Sequence, residues 1–327
     1  PGADAFGPVR EDVKVAPVLK NGDTIAWAFL TSDFVGTTGY SGKPIHVVAA
    51  IDVDAILTGV KLVKHSEPIV LIGIPNSKMV KLTEGYAGLD LKAEAAAGGD
   101  AHDLDIISGA TVTIMVIDDS IIRSGLKVAR TLGLGGLASE VAESGPQREV
   151  DTGKKDISDW MTLTGDGSVR RLSLDVAQIN ESFVSQGDKR AVDRPEKGPE
   201  TDTFIDLYLA LADVPSIGLS LLGEAEYANL MARLDDGDHA ILVAGRGRYS
   251  FKGSGYVRGG IFDRIQLIQD DISVRFHDRQ HNRVGTIAAE GAPAFSEMDL
   301  FIIPADSGFD PAKEFRLQLL VQRPVGP

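Results

Sequence analysis

The chain has 327 residues, 43% of them hydrophobic and 24% charged, with a formal net charge of −14. That length allows two domains of ordinary size, and that acidity excludes a nucleic-acid-binding surface, which needs an excess of basic residues. With no cysteine, disulfides, iron–sulfur clusters and thiolate metal sites are excluded within the chain, and no apolar run reaches the ~20 residues of a membrane span.

Taken in order, the chain opens at Pro1 without a start methionine or a signal peptide and reads as a piece of a longer protein. Residues 1–20 are a mixed polar lead-in. Residues 24–30 are apolar enough for a strand, and residues 36–44 form a loop rich in turn formers, with Tyr40 at its centre. Residues 45–52 are a β-branched run that reads as a buried strand. Residues 59–64 alternate, with Val60 and Leu62 facing inward. The short connection between the last two predicts antiparallel neighbours. His65, Glu67 and Pro68 end that strand. Residues 70–74 read as a short apolar turn or helix, and the alanine–glycine tract at 93–99 as a flexible entry to the segment beyond it.

The stretch from Asp105 to Thr113 organises this half. Ser108, Gly109 and Ala110 are small enough for a bulky ligand to approach the backbone, and Gly109 can adopt positive φ. Thr111 and Thr113 come next, and then an apolar segment over 114–128 that is too long for an ordinary strand and reads as a helix. Ser108 or Thr111 could cap it, and the unpaired N–H groups of a helix start favour a phosphate. The residues therefore offer a phosphate-sized anion site containing a threonine hydroxyl. They do not choose between Thr111 and Thr113, and they name no ligand. The bland reading of the same residues is an ordinary loop and helix cap. His102, Asp103 and Asp105 have no fixed ligand spacing, so no permanent metal site is expected there.

Residues 131–146 are a glycine-rich, polar break. Residues 159–176 read as a short hairpin turning at 165–167, residues 174–183 as a short helix, and the charged, proline-bearing stretch 187–202 as a linker. From 203 onward short strands recur between turn residues, with a helix over 224–234, which suggests a β-sandwich or related module. The basic, aromatic, glycine-rich stretch from Arg246 to Arg258 reads either as a docking surface or ligand-pocket wall, or as an exposed hairpin with solvated arginines; the second is preferred. His277 and His281 sit where a strand ends, and no metal is expected there.

Asp105, Ser108, Gly109, Ala110 and Thr111 match the flavinylation motif Asp-x-x-Ser/Thr-Gly-Ala-Thr. In this the chain resembles the FMN-binding domain family over roughly residues 20–135. His65, Glu67 and Pro68 match part of a segment that lies beside the flavin in that family, although the threonine and glycine of the family's form are absent. Gly39, Tyr40, Ser41, Gly42 and Pro44 match an element of the family's nitrous oxide reductase regulatory branch, and that likeness extends over the strand-rich second half.

The resemblance implies FMN joined to Thr111 as a phosphoester, placed there by a flavin transferase, with Ser108, Gly109, Ala110, Thr113, Asp105, His65, Glu67, Pro68 and Tyr40 around it. It implies an electron carrier with no catalytic residue and no resident metal. It also implies a periplasmic location as the soluble part of a membrane-anchored protein. The partners would be the membrane-embedded remainder of that protein and nitrous oxide reductase or its assembly proteins. The expected fold class is α+β. An FMN-binding domain with an antiparallel sheet and helices covers 1–140, a connecting segment with a short hairpin and helix covers 141–202, and a mainly β, sandwich-like domain covers 203–327. Two other classes stay open: a non-redox scaffold for nitrous oxide reductase or copper-site assembly, and a flavoenzyme with its own small substrate. The absence of a Ser/His/Asp arrangement and of a dinucleotide fingerprint weighs against the second.

Overall fold

A computed structural model describes residues 2–35, 43–67, 76–97, 111–137, 149–186, 189–253, 260–270, 272–321 and 323. The chain divides into two compact units, Pro1–Gln147 with Asp270–Ser273, and Arg148–Gln269 with Val274–Pro327. The fold is α+β, as expected.

The first unit is built on a five-stranded antiparallel sheet in sequential order: β1 (Ala5–Phe6), β2 (Val15–Lys20), β3 (Asp23–Leu30), β4 (His46–Ile51) and β5 (Leu57–Lys64). The polar lead-in thus contributes two strands. The β2–β3 connection is Asn21-Gly22, both at positive φ (52° and 89°), the geometry that matches the twist of a two-residue hairpin. In the β4–β5 connection Asp52 Oδ1 accepts from the N–H groups of Asp54 and Ile56 at 3.0 and 2.9 Å, and this local turn sets the antiparallel register of Ile51 opposite Leu57. On β5, Val60 and Leu62 are half-buried while Lys61 and Val63 are exposed, as the alternation predicts.

Among the described residues three helices follow: α1 (Asn76–Glu84), α2 (Leu91–Ala97) and α3 (Thr111–Leu132). Helix α3 packs on β4, α1 on β5, and α2 on α3. From Thr113 to Ala129, every residue of α3 except Lys127 is buried or half-buried, which is the signature of a core helix rather than an amphipathic surface one. The buried hydroxyls of Ser120 and Ser124 are satisfied locally. Ser120 Oγ donates to the Val116 carbonyl at 2.7 Å and Ser124 Oγ to the Ser120 carbonyl at 2.5 Å. Gly125 lets α2 approach, since a Cβ there would lie 2.8 Å from Leu91 Cδ1. The core combines Val47, Ala49 and Ile51 of β4 and Leu57 of β5 with Ile114, Ile117 and Ile121 of α3. Removing one of its leucine or isoleucine side chains down to alanine costs about 2–5 kcal/mol in such a setting.

The second unit contains α4 (Trp160–Gly165), β6 (Val169–Asp175), α5 (Val176–Gln186), α6 (Lys189–Val192), β7 (Thr203–Leu211), α7 (Pro215–Met231), β8 (His239–Gly247), β9 (Ile265–Gln269), β11 (His281–Arg283), β12 (Glu297–Ile303) and β13 (Arg316–Leu319), while β10 (Ile272–Val274) straddles the division between the units. Its main sheet is antiparallel in the order β11-β12-β8-β7-β6, and β9 pairs antiparallel with β13. Strand β6 comes from the stretch expected to be connecting. The hairpin expected over 159–176 is instead a helical turn followed by a strand. Asp159 caps α4 by accepting from Thr162 N at 2.8 Å, and the residues pairing with β6 lie in β7. Helix α7 starts earlier than the expected 224 because Pro215 opens it, and it bends at Gly223, whose φ is 73°.

One face of the main sheet carries Val169, Tyr208, Ala210, Leu242, Ala244 and Leu300, packed with Leu163 of α4 and Leu221 of α7. On the other, Phe301 stands among Phe262, Phe276 and Phe251, with ring centroids 4.7, 4.8 and 6.3 Å away. In the stretch from Arg246 to Lys252, Arg246 and Arg248 are exposed, as the preferred reading has it, while side-chain contacts also tie the stretch to this unit. Arg246 pairs with Asp206 at 2.8 Å and Lys252 with the buried Asp299 at 2.8 Å, and Tyr249 stacks on Phe204 at 4.8 Å. Tyr256 and Arg258 lie outside the described residues.

Candidate functional site

The site is assembled where β5 runs out and α3 begins. After Lys64 the chain leaves the ladder as His65-Ser66-Glu67, and Glu67 turns inward until it is 0% exposed. A carboxylate so buried needs hydrogen-bond donors. Thr113 Oγ1, also 0% exposed, donates to Glu67 Oε2 at 2.9 Å across 46 residues of sequence. Thr113 lies in the first turn of α3, two residues after Thr111, which opens the helix. The strand end bearing His65 and Glu67 is therefore fastened to the start of α3 through side chains. The N–H groups of that first turn have no partner within the helix and carry the positive end of its dipole.

His65 adds a second feature. Its Nδ1 is shielded from solvent and has no hydrogen-bond partner among the described residues. A half-buried imidazole nitrogen shielded in this way calls for a hydrogen-bond partner.

One helical stretch further along, Tyr86 donates its hydroxyl to Asp118 Oδ1 at 2.7 Å. Tyr86 is buried after α1, and burial together with the charges of Asp118 and Glu94 pushes its phenol far above the usual tyrosine range. It stays protonated and holds Asp118 on α3. Ser32 Oγ lies 2.8 Å from His46 Nδ1 at the start of β4. Among the described residues, no group of three or more His, Asp or Glu side chains could hold a metal ion.

Of the residues singled out in the sequence, the structure places His65 and Glu67 at the β5 end and Thr111 and Thr113 at the α3 start, and it joins the two pairs through Thr113 and Glu67. Asp105, Ser108, Gly109, Ala110, Pro68 and Tyr40 lie outside the described residues. The direct link between Thr113 and Glu67 is not visible in the sequence. The only signal for it is a carboxylate placed among half-apolar residues just after a strand, which does not name its partner. Tyr86 looks in the sequence like part of a glycine-flanked turn and carries no sign of its bond to Asp118.

Residues 39–124 match the FMN-binding domain family. The matched span contains both the β5 end and the start of α3, so the buried Thr113–Glu67 hydrogen bond lies within it. Over its whole length the chain is 37% identical to "Regulatory protein NosR" of Pseudomonas aeruginosa, of which it covers 46%. It is likewise 37% identical to the protein of the same name from Stutzerimonas stutzeri, covering 45%. It is 31% identical over 99% of its length to "Protein NirI" of Paracoccus denitrificans, covering 46%. The chain thus spans a little under half the length of these relatives. No described helix is long and apolar enough to cross a membrane.

Proposed function

We propose that this chain is the periplasmic, FMN-carrying part of a membrane-anchored protein, that its flavin is joined to Thr111, and that it passes electrons in support of nitrous oxide reductase during denitrification. The observation that carries the reading is the Thr113–Glu67 hydrogen bond. It fastens the His65 segment, which matches part of the family's flavin-side element, to the helix turn that Thr111 begins, the last residue of the flavinylation motif.

The residues fit the group. The first-turn N–H groups of α3 would hold its phosphate, and His65 Nδ1, which has no hydrogen-bond partner among the described residues, would meet one of its polar atoms. When bound, FMN supplies one-electron transfer, the redox chemistry being the cofactor's own. The chain's part is to hold and orient it. During maturation the Thr111 hydroxyl gives up its proton and becomes the ester oxygen, while the transferase that uses FAD releases AMP. Thereafter Thr113 is committed to Glu67 and is not available as an attachment point, which favours Thr111 of the two hydroxyls. The electron-carrier role, the compartment and the partners rest on the likeness to relatives named NosR and NirI.

The test is mass spectrometry of the Thr111 peptide after co-expression with a flavin transferase in the periplasm of a host. The expected result is a peptide carrying the FMN mass, yellow protein that keeps its colour on acid precipitation, and loss of both in Thr111→Val. Colourless protein beside a working transferase, or colour retained in Thr111→Val, would overturn the reading.

A further inference from the structure

Strand β6 closes the main sheet of the second unit, and beyond it no described residue continues the ladder. Its residues Arg170, Arg171, Leu172 and Ser173 are all exposed. An uncovered edge of this kind presents a row of backbone N–H and C=O groups to any extended chain. Beside it, α4 and β6 enclose an open cleft of about 360 Å³, lined by Trp160, Thr164, Val169, Arg170, Arg171 and Tyr208. Trp160, half-buried, forms its wall together with Tyr208, their ring centroids 5.3 Å apart. The neighbouring Met161 is 77% exposed.

The charge around the cleft is opposite to that of the chain. Asp206, on β7, is buried and accepts from Arg171 Nε at 2.5 Å, Arg246 Nε at 2.9 Å and Tyr208 OH at 3.1 Å. One carboxylate thus serves two guanidinium groups, which leaves a positive charge in excess. Arg170 adds another, and it has no ion pair with any described residue; its guanidinium lies over Gly167, where an added Cβ would come within 3.1 Å of it. The carboxylates flanking α4, Asp159 and Asp166, do not line the cleft and accept backbone N–H groups of Thr162 and Ser168. A local cationic site on a chain of net charge −14 is matched by an anionic partner. A tryptophan wall and an open strand edge together suit an extended peptide better than a compact anion.

We infer that the outer edge of β6 and the Trp160 cleft dock an extended acidic segment of a partner protein. The segment pairs its backbone with β6, places a carboxylate on Arg170 and lays an apolar side chain against Trp160. This inference is independent of flavin attachment, since all its residues belong to the second unit.

The chain has two tryptophans, so a Trp27→Phe background makes Trp160 the sole reporter. The probe is a pentapeptide amide alternating valine and aspartate, titrated while tryptophan emission is followed. The expected result is a saturable change in Trp160 emission. Affinity should fall roughly tenfold in Arg170→Ala, in line with the loss of a charge-assisted bond. It should fall by a similar factor when alternate peptide nitrogens are methylated. No change in emission, equal affinity in Arg170→Ala, or the same response to N-methylated peptide or to acetate alone would overturn the inference.

Discussion

At the scale of single residues, the Thr113–Glu67 contact decides how the candidate site is held. Both side chains are 0% exposed, so the donor cannot be replaced by bulk water. Thr113→Val keeps the shape and removes the hydroxyl, which should destabilise the first unit by about 1–3 kcal/mol, the usual effect of withdrawing a donor from a buried acceptor. Urea unfolding followed by circular dichroism measures it, and an unchanged midpoint would show that Glu67 does not depend on Thr113. In the second unit, His239 offers a pH-dependent counterpart. Its Nδ1 lies 2.7 Å from Asp213 Oδ2. The hydrogen bond to Asp213 raises the imidazole above its usual range against the opposing effect of burial, with the charges of Asp213, Asp310 and Asp238 adding to the rise. The folded protein thus holds the proton more tightly than the unfolded chain. The pair's contribution is fully present below about pH 6.5, the unperturbed histidine value, and is lost as pH rises through the raised value. Unfolding midpoints measured across that range should decline with pH in the parent and decline less in Asp213→Asn.

At the scale of elements, helix α3 shows what patterning can and cannot deliver. Its existence is legible because the apolar segment after the motif is too long for a strand and its charges fall mostly on one side. Its enclosure is not legible, because Ser120, Ser124 and Gly125 look like surface or helix-weakening residues until the neighbours are known. The serines are satisfied within the helix, and Gly125 is the seat for Leu91. Gly125→Ala separates two opposed effects. Intrinsic helix propensity favours alanine by about 1 kcal/mol, whereas the new Cβ would lie 2.8 Å from the fully buried Leu91, and overpacking of that kind costs about 1–3 kcal/mol. A lower thermal midpoint is expected; a higher one would show that α2 yields. The short elements are the least readable. The 159–176 stretch has the look of a hairpin because glycines at 165 and 167 suit its turn, but Asp159 caps a helical turn first, and β6 finds its partner 28 residues beyond its own end, in β7.

At the scale of the whole molecule, composition and the flavinylation pattern between them indicate the α+β class and the FMN-binding domain. They can do so because the motif is local in sequence and the strands of the first sheet succeed one another in order. The second unit resists the same treatment. Its main sheet takes its strands out of sequence order, β11-β12-β8-β7-β6, and non-local pairing leaves no trace in a short window. Its polar interior is equally hidden. Asp206 and Asp299 are buried acids in strands, and only tertiary structure supplies Arg171, Arg246 and Lys252 as their counter-charges.

A rod walled in along nearly its whole length has one further consequence. Close-packed surroundings resist compression and transmit strain, so α3 has little room to rock or slide. Whatever its first turn carries sits on a stiff post, and the Thr113–Glu67 hydrogen bond fixes the spacing between that turn and the chain leaving β5.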